Sequence, residues 1–229
     1  MPGLTQPQMD TLLRSRTGTY GSFERGTKTN PSTDYLDRLA RHLKLTPQEW
    51  ELLWRYAYGH NPPYALDPEA GLEVAPVWRR VLHELTTMAY ITDVAGTLLE
   101  YNSAFASMFP GGRPPRNILR WMLLDELART ETLLDWERCW APKVVPQLVA
   151  ARLAHPTDPT LLRLERDVIN DPRTGPIRQG AAAYTHPDGD DRPLRHATLG
   201  SGRVRLGAAE PLISPGARFM IVEFAAEGS

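Results

Sequence analysis

The side chains best suited to hold a small molecule crowd into residues 90–140. Tyr90, Tyr101, Phe105, Met108, Trp121, Met122, Trp136 and Trp140 are large and mostly apolar, while Asn102 adds an amide and Arg116 and Arg120 add positive charge. Apolar walls with a few placed polar groups are the usual make-up of a ligand pocket. The chemistry this implies is non-covalent. An apolar cavity between a sheet and a helix would take a small or acyl-chain ligand, with Tyr90 or Asn102 as polar handle and Arg116 or Arg120 as counter-charge at the mouth. The same Trp and Met stripe also serves as ordinary core, where interiors close at native density without a void.

A second set of side chains suits phosphate chemistry. Arg16, Thr17, Thr19, Ser22, Arg25 and Lys28 cluster near the N-terminus and are expected to face double-stranded DNA, with Arg and Lys on phosphates. Thr17, Gly18 and Ser22 are too short for bidentate purine contacts, so specificity should be modest and partly read from DNA shape. Catalysis is not expected, because no G-x-S-x-G, Walker loop, dinucleotide fingerprint or H-E-x-x-H occurs. No metal site or cofactor is expected either. His186-Pro-Asp188-Gly-Asp190-Asp191 misses the calcium-loop spacing and reads as a solvated turn. His83, His155 and His196 are isolated, and the single cysteine, Cys139, between Trp136 and Trp140, reads as a buried inert thiol.

The elements that must position these residues follow from spacing. Thr5 caps a helix carrying Gln6, Met9 and Leu12. A second helix spans about Arg16 to Arg25 with Tyr20 and Phe23 inward, and Gly26 suits its left-handed end. Ser32 caps a helix in which Leu36, Leu39, Ala40 and Leu43 repeat at helical spacing. Thr46 and Pro47 open one carrying Trp50, Leu53, Trp54 and Ala57. The proline-rich stretch 60–75 reads as a linker. Pro76 to Leu85 is an amphipathic helix with Trp78, Val81, Leu82 and Leu85 inward. Ala89–Thr92 and Leu98–Tyr101 form a hairpin turned by Asp93 and Gly96, and Asn102 caps a helix carrying Ala104, Phe105, Met108 and Phe109. Ile118 to Leu127 is apolar nearly all round and must be buried on several sides. Pro142 and Pro146 should break or bend the next helix near Ala141. A further helix spans about Thr160 to Val168. Strands near Leu194–Leu199, Arg203–Ala208 and Arg218–Phe224 complete a five-stranded antiparallel sheet, with the last at its centre.

The 229 residues, 41% hydrophobic and 23% charged, suit a soluble protein of two small domains or one large one. The net charge of -1 excludes a general polycation. Residues 1–60 hold eight Lys/Arg against six Asp/Glu, a slight basic bias that permits a DNA-facing region. With no leader-like N-terminus and no long apolar run, the expected location is cytoplasmic, away from membranes.

Leu4 to Gly26, with its Glu24-Arg25-Gly26 ending, and the two helices after it resemble the XRE-type helix-turn-helix of phage-repressor-like regulators, without the usual first helix. That resemblance implies operator DNA as partner and a homodimer. Asp10 stands where a small residue is usual and must be solvated or paired, and Arg14 stands at a turn position usually held by Gly. Ile91-Thr-Asp-Val-Ala-Gly-Thr-Leu-Leu with Asn102, Ala104, Phe105, Met108 and Phe109 resembles the opening of a PAS domain. Arg116-Asn117-Ile-Leu-Arg120 with Leu124-Asp125 and then Asp135-Trp136-Glu137 resembles the ligand-binding domain of MmyB-like transcription regulators, which join both halves. The expected architecture is therefore α+β, with a helix-turn-helix domain over 1–59, a linker over 60–75 and a PAS-like ligand-binding domain over 76–229. The resemblance implies a DNA-binding transcription regulator sensing a small apolar or fatty-acid-like ligand. The alternative is a sensor or interaction protein whose degenerate helix-turn-helix binds a protein partner.

Overall fold

The structure is a computed structural model, and it describes residues 4–28, 30–60, 62, 74–181, 188–210 and 216–227. The chain divides into two compact units, Met1–Ala70 and Gly71–Ser229. Most of the expected linker lies outside the described residues. Among the described residues no helix is long and apolar enough to cross a membrane.

The first unit holds helices α1 (Gln6–Leu12), α2 (Thr19–Glu24), α3 (Thr33–Leu43) and α4 (Pro47–Tyr58). Their starts follow capping chemistry. The Ser32 hydroxyl accepts from the Tyr35 amide, and Thr46 and Glu49 exchange hydrogen bonds in a capping box. Met9, Leu13, Tyr35, Leu36, Leu39, Ala40, Trp50 and Trp54 form the core, with Tyr20 and Phe23 packed against it. Two residues on the apolar helical spacing lie outside this core. Leu12 and Leu43 lie on the exposed edges of their helices, and Leu13 and Tyr35 take the core places.

The second helix also differs, beginning at Thr19 rather than near Arg16. Gly18 sits at φ 86°, which a side chain would oppose, and the Asp10 carboxylate accepts from the Gly18 amide (2.6 Å) and the Tyr20 amide (2.7 Å). Asp10, almost fully buried, is thus paired with backbone donors and caps α2 from a distance in sequence. Arg14 takes the left-handed turn conformation at φ 51° that glycine usually supplies. The close approach of α1 and α2 falls on Gly21, where a Cβ would come within 2.6 Å of Gln6 Oε1.

The second unit is α+β. Its antiparallel sheet comprises β1 (Met88–Asp93), β2 (Leu98–Tyr101), β3 (Asp190–His196), β4 (Gly200–Ala209) and β5 (Ala217–Ala226), in the order β2-β1-β5-β4-β3. The hairpin turns because Asp93 Oδ1 accepts from the amides of Ala95 (2.9 Å) and Thr97 (2.7 Å), with Gly96 at φ 79°. β5 is central, as its apolar run requires. In β4 Val204 and Leu206 are buried while Arg203 and Arg205 are exposed, the period-2 pattern of a strand wet on one face. The last connection differs from expectation. β3 starts at Asp190 and ends at His196, and Ala197 to Leu199 form the turn. Pro193, which lacks a ladder donor, is tolerated because β3 is an edge strand bonded only to β4. The outer side of β2 is partly covered: the Leu98 amide donates to the Arg116 carbonyl, and the Ile118 amide donates to that of Gly96.

Alternation along β1 buries both faces. Ala89 and Ile91 meet Leu82 of α5 (Pro76–Glu84), with Val74, Ala217 and Phe219. Val81, expected inward, is exposed. Met88 and Tyr90 face the main core, formed with α6 (Ser103–Ser107), α7 (Ile118–Leu124), α8 (Ala141–Ala154) and α9 (Pro159–Asn170). The short α10 (Gly175–Gly180) closes this group. α7 ends at Leu124 with Asp125 as its cap, so Leu127 lies outside it and exposed. Two π-helical turns, Ala128–Thr132 and Trp136–Trp140, lead into α8. The expected break near Ala141 is a change of helix type there, with Pro142 in the first turn of α8. Pro146 lies inside α8 and does not end it. It deletes one backbone donor, while buried Val144, Val145, Leu148 and Val149 hold the helix in the core.

Candidate ligand cavity and helix-turn-helix surface

Between the sheet and helices α6 to α8 lies a cavity of about 60 Å³. Tyr90, Phe105, Met108, Trp121, Met122 and Trp140, all singled out from the sequence, form part of its wall. The sheet floor comes from Leu194, Val204, Leu206, Met220 and Val222, and Gln147 of α8 and Arg192 of β3 add the polar groups. Burial pushes the Tyr90 phenol up to about 12, against a small opposing pull from Arg192, so it is a neutral donor at neutral pH.

The other expected pocket residues lie elsewhere. Asn102 is fully engaged: its Oδ1 accepts from the amides of Ala89 (3.1 Å) and Phe105 (2.9 Å), and its Nδ2 donates to the carbonyls of Leu85 and Thr87. It ties α6 to β1 and has no capacity left for a ligand. Tyr101 is partly exposed, with its ring beside Phe105. Arg116 is exposed and contributes only its carbonyl, to β2. Arg120 pairs with Asp167 of α9 at 2.7 Å.

Trp136 is buried but lies off the cavity wall, flanked by the guanidinium groups of Arg129 (4.8 Å) and Arg173 (4.7 Å). Its indole N–H donates to the Met122 carbonyl at 2.7 Å, and Arg129 pairs with Asp171 at 3.0 Å. The Asp171 carboxyl resists burial, but bonds from Arg129 and Thr174 outweigh it and hold the group at about 2. The residues that carry the sequence resemblance here therefore clamp helices together. Asn117 caps α7 by accepting from the Arg120 amide, and its Nδ2 donates to the Ala95 carbonyl.

Arg192 escaped the sequence reading. A charged residue followed by proline reads as loop, and the one usable cue is its period-2 phase with Leu194 and His196. Its side chain is 1% exposed, its Nε donates to Asp190 Oδ2 at 2.7 Å, and its guanidinium lies 5.0 Å from the Trp140 ring centre. Asp190 is also held by Lys143, and these two cations outweigh burial to keep its carboxyl below the usual range. Of the residues read as a solvated turn, Asp188 accepts from the Ala208 amide, Asp190 and Asp191 begin β3 with Asp191 paired to Arg203, and His186 lies outside the described residues. Among the described residues no cluster of three or more His, Cys, Asp or Glu is placed to hold a metal ion. Cys139 is half-buried against the core.

In the first unit, Arg16 and Thr17 fall in the α1–α2 connection rather than on a helix, and both are exposed. Thr19 opens α2, the Ser22 hydroxyl donates back to the Gly18 carbonyl at 2.8 Å, and exposed Arg25 ends the helix. Lys28 is half-buried with its ammonium 4.9 Å from the Tyr35 ring centre. The structure brings these six onto the connection, α2 and the residues just after it. Beside α2 an apolar groove of about 330 Å³ is lined by Tyr20, Phe23, Leu43, Leu45, Leu52 and Tyr56 among others.

No curated protein compared with the chain matches it. The family model described as MmyB-like transcription regulator ligand binding domain matches residues 74–229, well over half of the chain and the whole of the sheet and cavity. This chain belongs to the family of MmyB-like transcription regulator ligand-binding domains.

Proposed function

We propose that the chain is a DNA-binding transcription regulator, with a helix-turn-helix domain over residues 1–59, a linker over 60–75 and a sensing domain over 76–229 that takes a small apolar or fatty-acid-like ligand. The observation that carries the DNA half is Asp10. By accepting from the Gly18 and Tyr20 amides it fixes the entry of α2, the helix that Thr19 opens and exposed Arg25 ends. The ligand half is supported by the family of the sensing domain and by the apolar wall of its cavity.

Arg16, Thr17, Thr19, Ser22, Arg25 and Lys28 are the proposed DNA contacts, on a homodimer reading paired half-sites. Titration of a labelled duplex at several salt concentrations tests this. Arg25→Ala and Lys28→Ala should each weaken binding across all sequences and flatten the logarithmic salt slope by about one. An affinity independent of salt, or a sedimenting monomer on one half-site, would refute the DNA or the dimer part respectively.

The second reading, a protein-binding module, is favoured by the groove beside α2. It is almost wholly apolar and includes Tyr56, 87% exposed, an aromatic surface of the kind protein interfaces use. Tyr56→Ser separates the two readings, since it should leave DNA affinity unchanged if α2 reads DNA.

A further inference from the structure

The cavity of the sensing domain is apolar on nearly every side, yet one wall residue is a guanidinium that its neighbours do not satisfy. Arg192 donates through Nε to Asp190, and its Nη2 is buried with no hydrogen-bond partner among the described residues. An unpaired buried donor on a charged group costs more than one on a neutral group, so such an atom marks a place for an acceptor. The local charge agrees. Asp190 meets two cations, Lys143 and Arg192, so its single negative charge is divided rather than given wholly to Arg192. The Trp140 ring lies against the guanidinium. Size sets the other limit. A cavity of about 60 Å³ is well under the roughly 150 Å³ of an engineered apolar cavity that admits benzene. Long acyl chains therefore do not fit the cavity as it stands.

Resting on the reading of this cavity as the ligand site, we propose that it binds a short-chain monocarboxylate. The carboxylate accepts from Arg192 Nη2, a charge-assisted bond that replaces the missing partner. The apolar body lies against Phe105, Met108, Leu194, Val204 and Val222. Gln147, on the same wall, offers a second donor to the head group. This assigns the head-group contact to β3 and makes charge, as well as apolarity, a condition of binding.

The test uses the full-length chain with methionine methyl labels, titrated with acetate, propionate and decanoate and with the primary amides of the same chain lengths. Met108, Met122 and Met220 line the cavity and report occupancy by methyl shifts. Acetate and propionate should bind at least tenfold tighter than their amides. That preference should vanish in Arg192→Met and return in part in Arg192→Lys. Equal binding of acids and amides, or an Arg192→Met variant that keeps the preference, would overturn the proposal while leaving the cavity as a ligand site. Affinity that climbs through decanoate would overturn the short-chain assignment. No shift with either class would remove the cavity reading as well. Should Arg192→Met fail to fold, the acid against amide comparison on the native chain decides alone.

Discussion

Asp171→Asn isolates the electrostatic clamp behind the cavity wall. The amide keeps an oxygen for the Arg173 and Thr174 amides, which Asp171 Oδ1 binds at 3.0 and 2.9 Å, so the local turn should survive. What is lost is the nearer counter-charge to Arg129, whose side chain is 3% exposed and keeps the exposed Glu126 carboxylate at 4.0 Å. An ordinary carboxyl at 3.8 against about 2 in the fold corresponds to about 2.4 kcal/mol at ~1.36 kcal/mol per pH unit. Partial solvent access to Asp171 lowers that share, while a buried cation left without its partner pulls the other way, with typical losses of ~3–5 kcal/mol. Arg129 keeps its bonds to the Leu123 carbonyl, which limits the second effect, so about 2 kcal/mol at pH 7 is expected. The sign follows from the depressed folded value: the stabilisation is complete above the unfolded value near 3.8 and is lost as pH falls through about 2. Urea unfolding from pH 7 down to pH 2 should show the native chain and the variant converging at the acid end. Equal midpoints at pH 7, or a gap that persists at pH 2, would refute the clamp.

Gly202→Ala places a Cβ within 2.3 Å of the Ala225 carbonyl oxygen and 2.6 Å of the Phe224 ring, so overpacking of about 1–3 kcal/mol should appear as a lower urea midpoint. Asp10→Ala should free the Gly18 and Tyr20 amides and lower DNA affinity through misplacement of α2, and full affinity in the same titration would contradict the capping role. Burial lowers the folded value of His196, and the amides of Thr198 and Leu199 donate to its Nδ1, so it is held neutral. The unfolded chain then binds the extra proton first, and stability should fall as pH drops below about 6.5. His196→Gln should remove that part of the pH dependence of the thermal midpoint.

Much of the architecture was legible because its signals are local. Asp93 with Gly96 sets the hairpin, Asn102 the α6 cap, and Ser32 and Thr46 their helices, each acting within a few residues. Helical period located the buried stripes but not their edges, so Leu12, Leu43, Val81 and Leu127 fit the apolar spacing although each lies on solvent. The start of α2 depends on Asp10, eight residues upstream of Gly18, and no helix propensity carries that information. The pocket was half legible. Its aromatic and Met wall comes from one continuous stretch, whereas its polar groups arrive from β3 and α8 through sheet order and packing. Conversely, Arg120, Asn102 and Trp136 looked like binding groups because of their types, and tertiary partners absorb all three.

The two rims of the sheet bear on behaviour at high concentration. An unpaired strand edge is a template on which another chain can add, the first step toward fibrous aggregates. Here Pro193 removes one of the donors such growth would use, and the segment at Arg116 to Ile118 occupies part of the opposite rim. Copies of this chain therefore have little to zip onto through their backbones. The protein should stay free of thioflavin-positive fibrils under native conditions, and Pro193→Thr should be the substitution that first makes it seed.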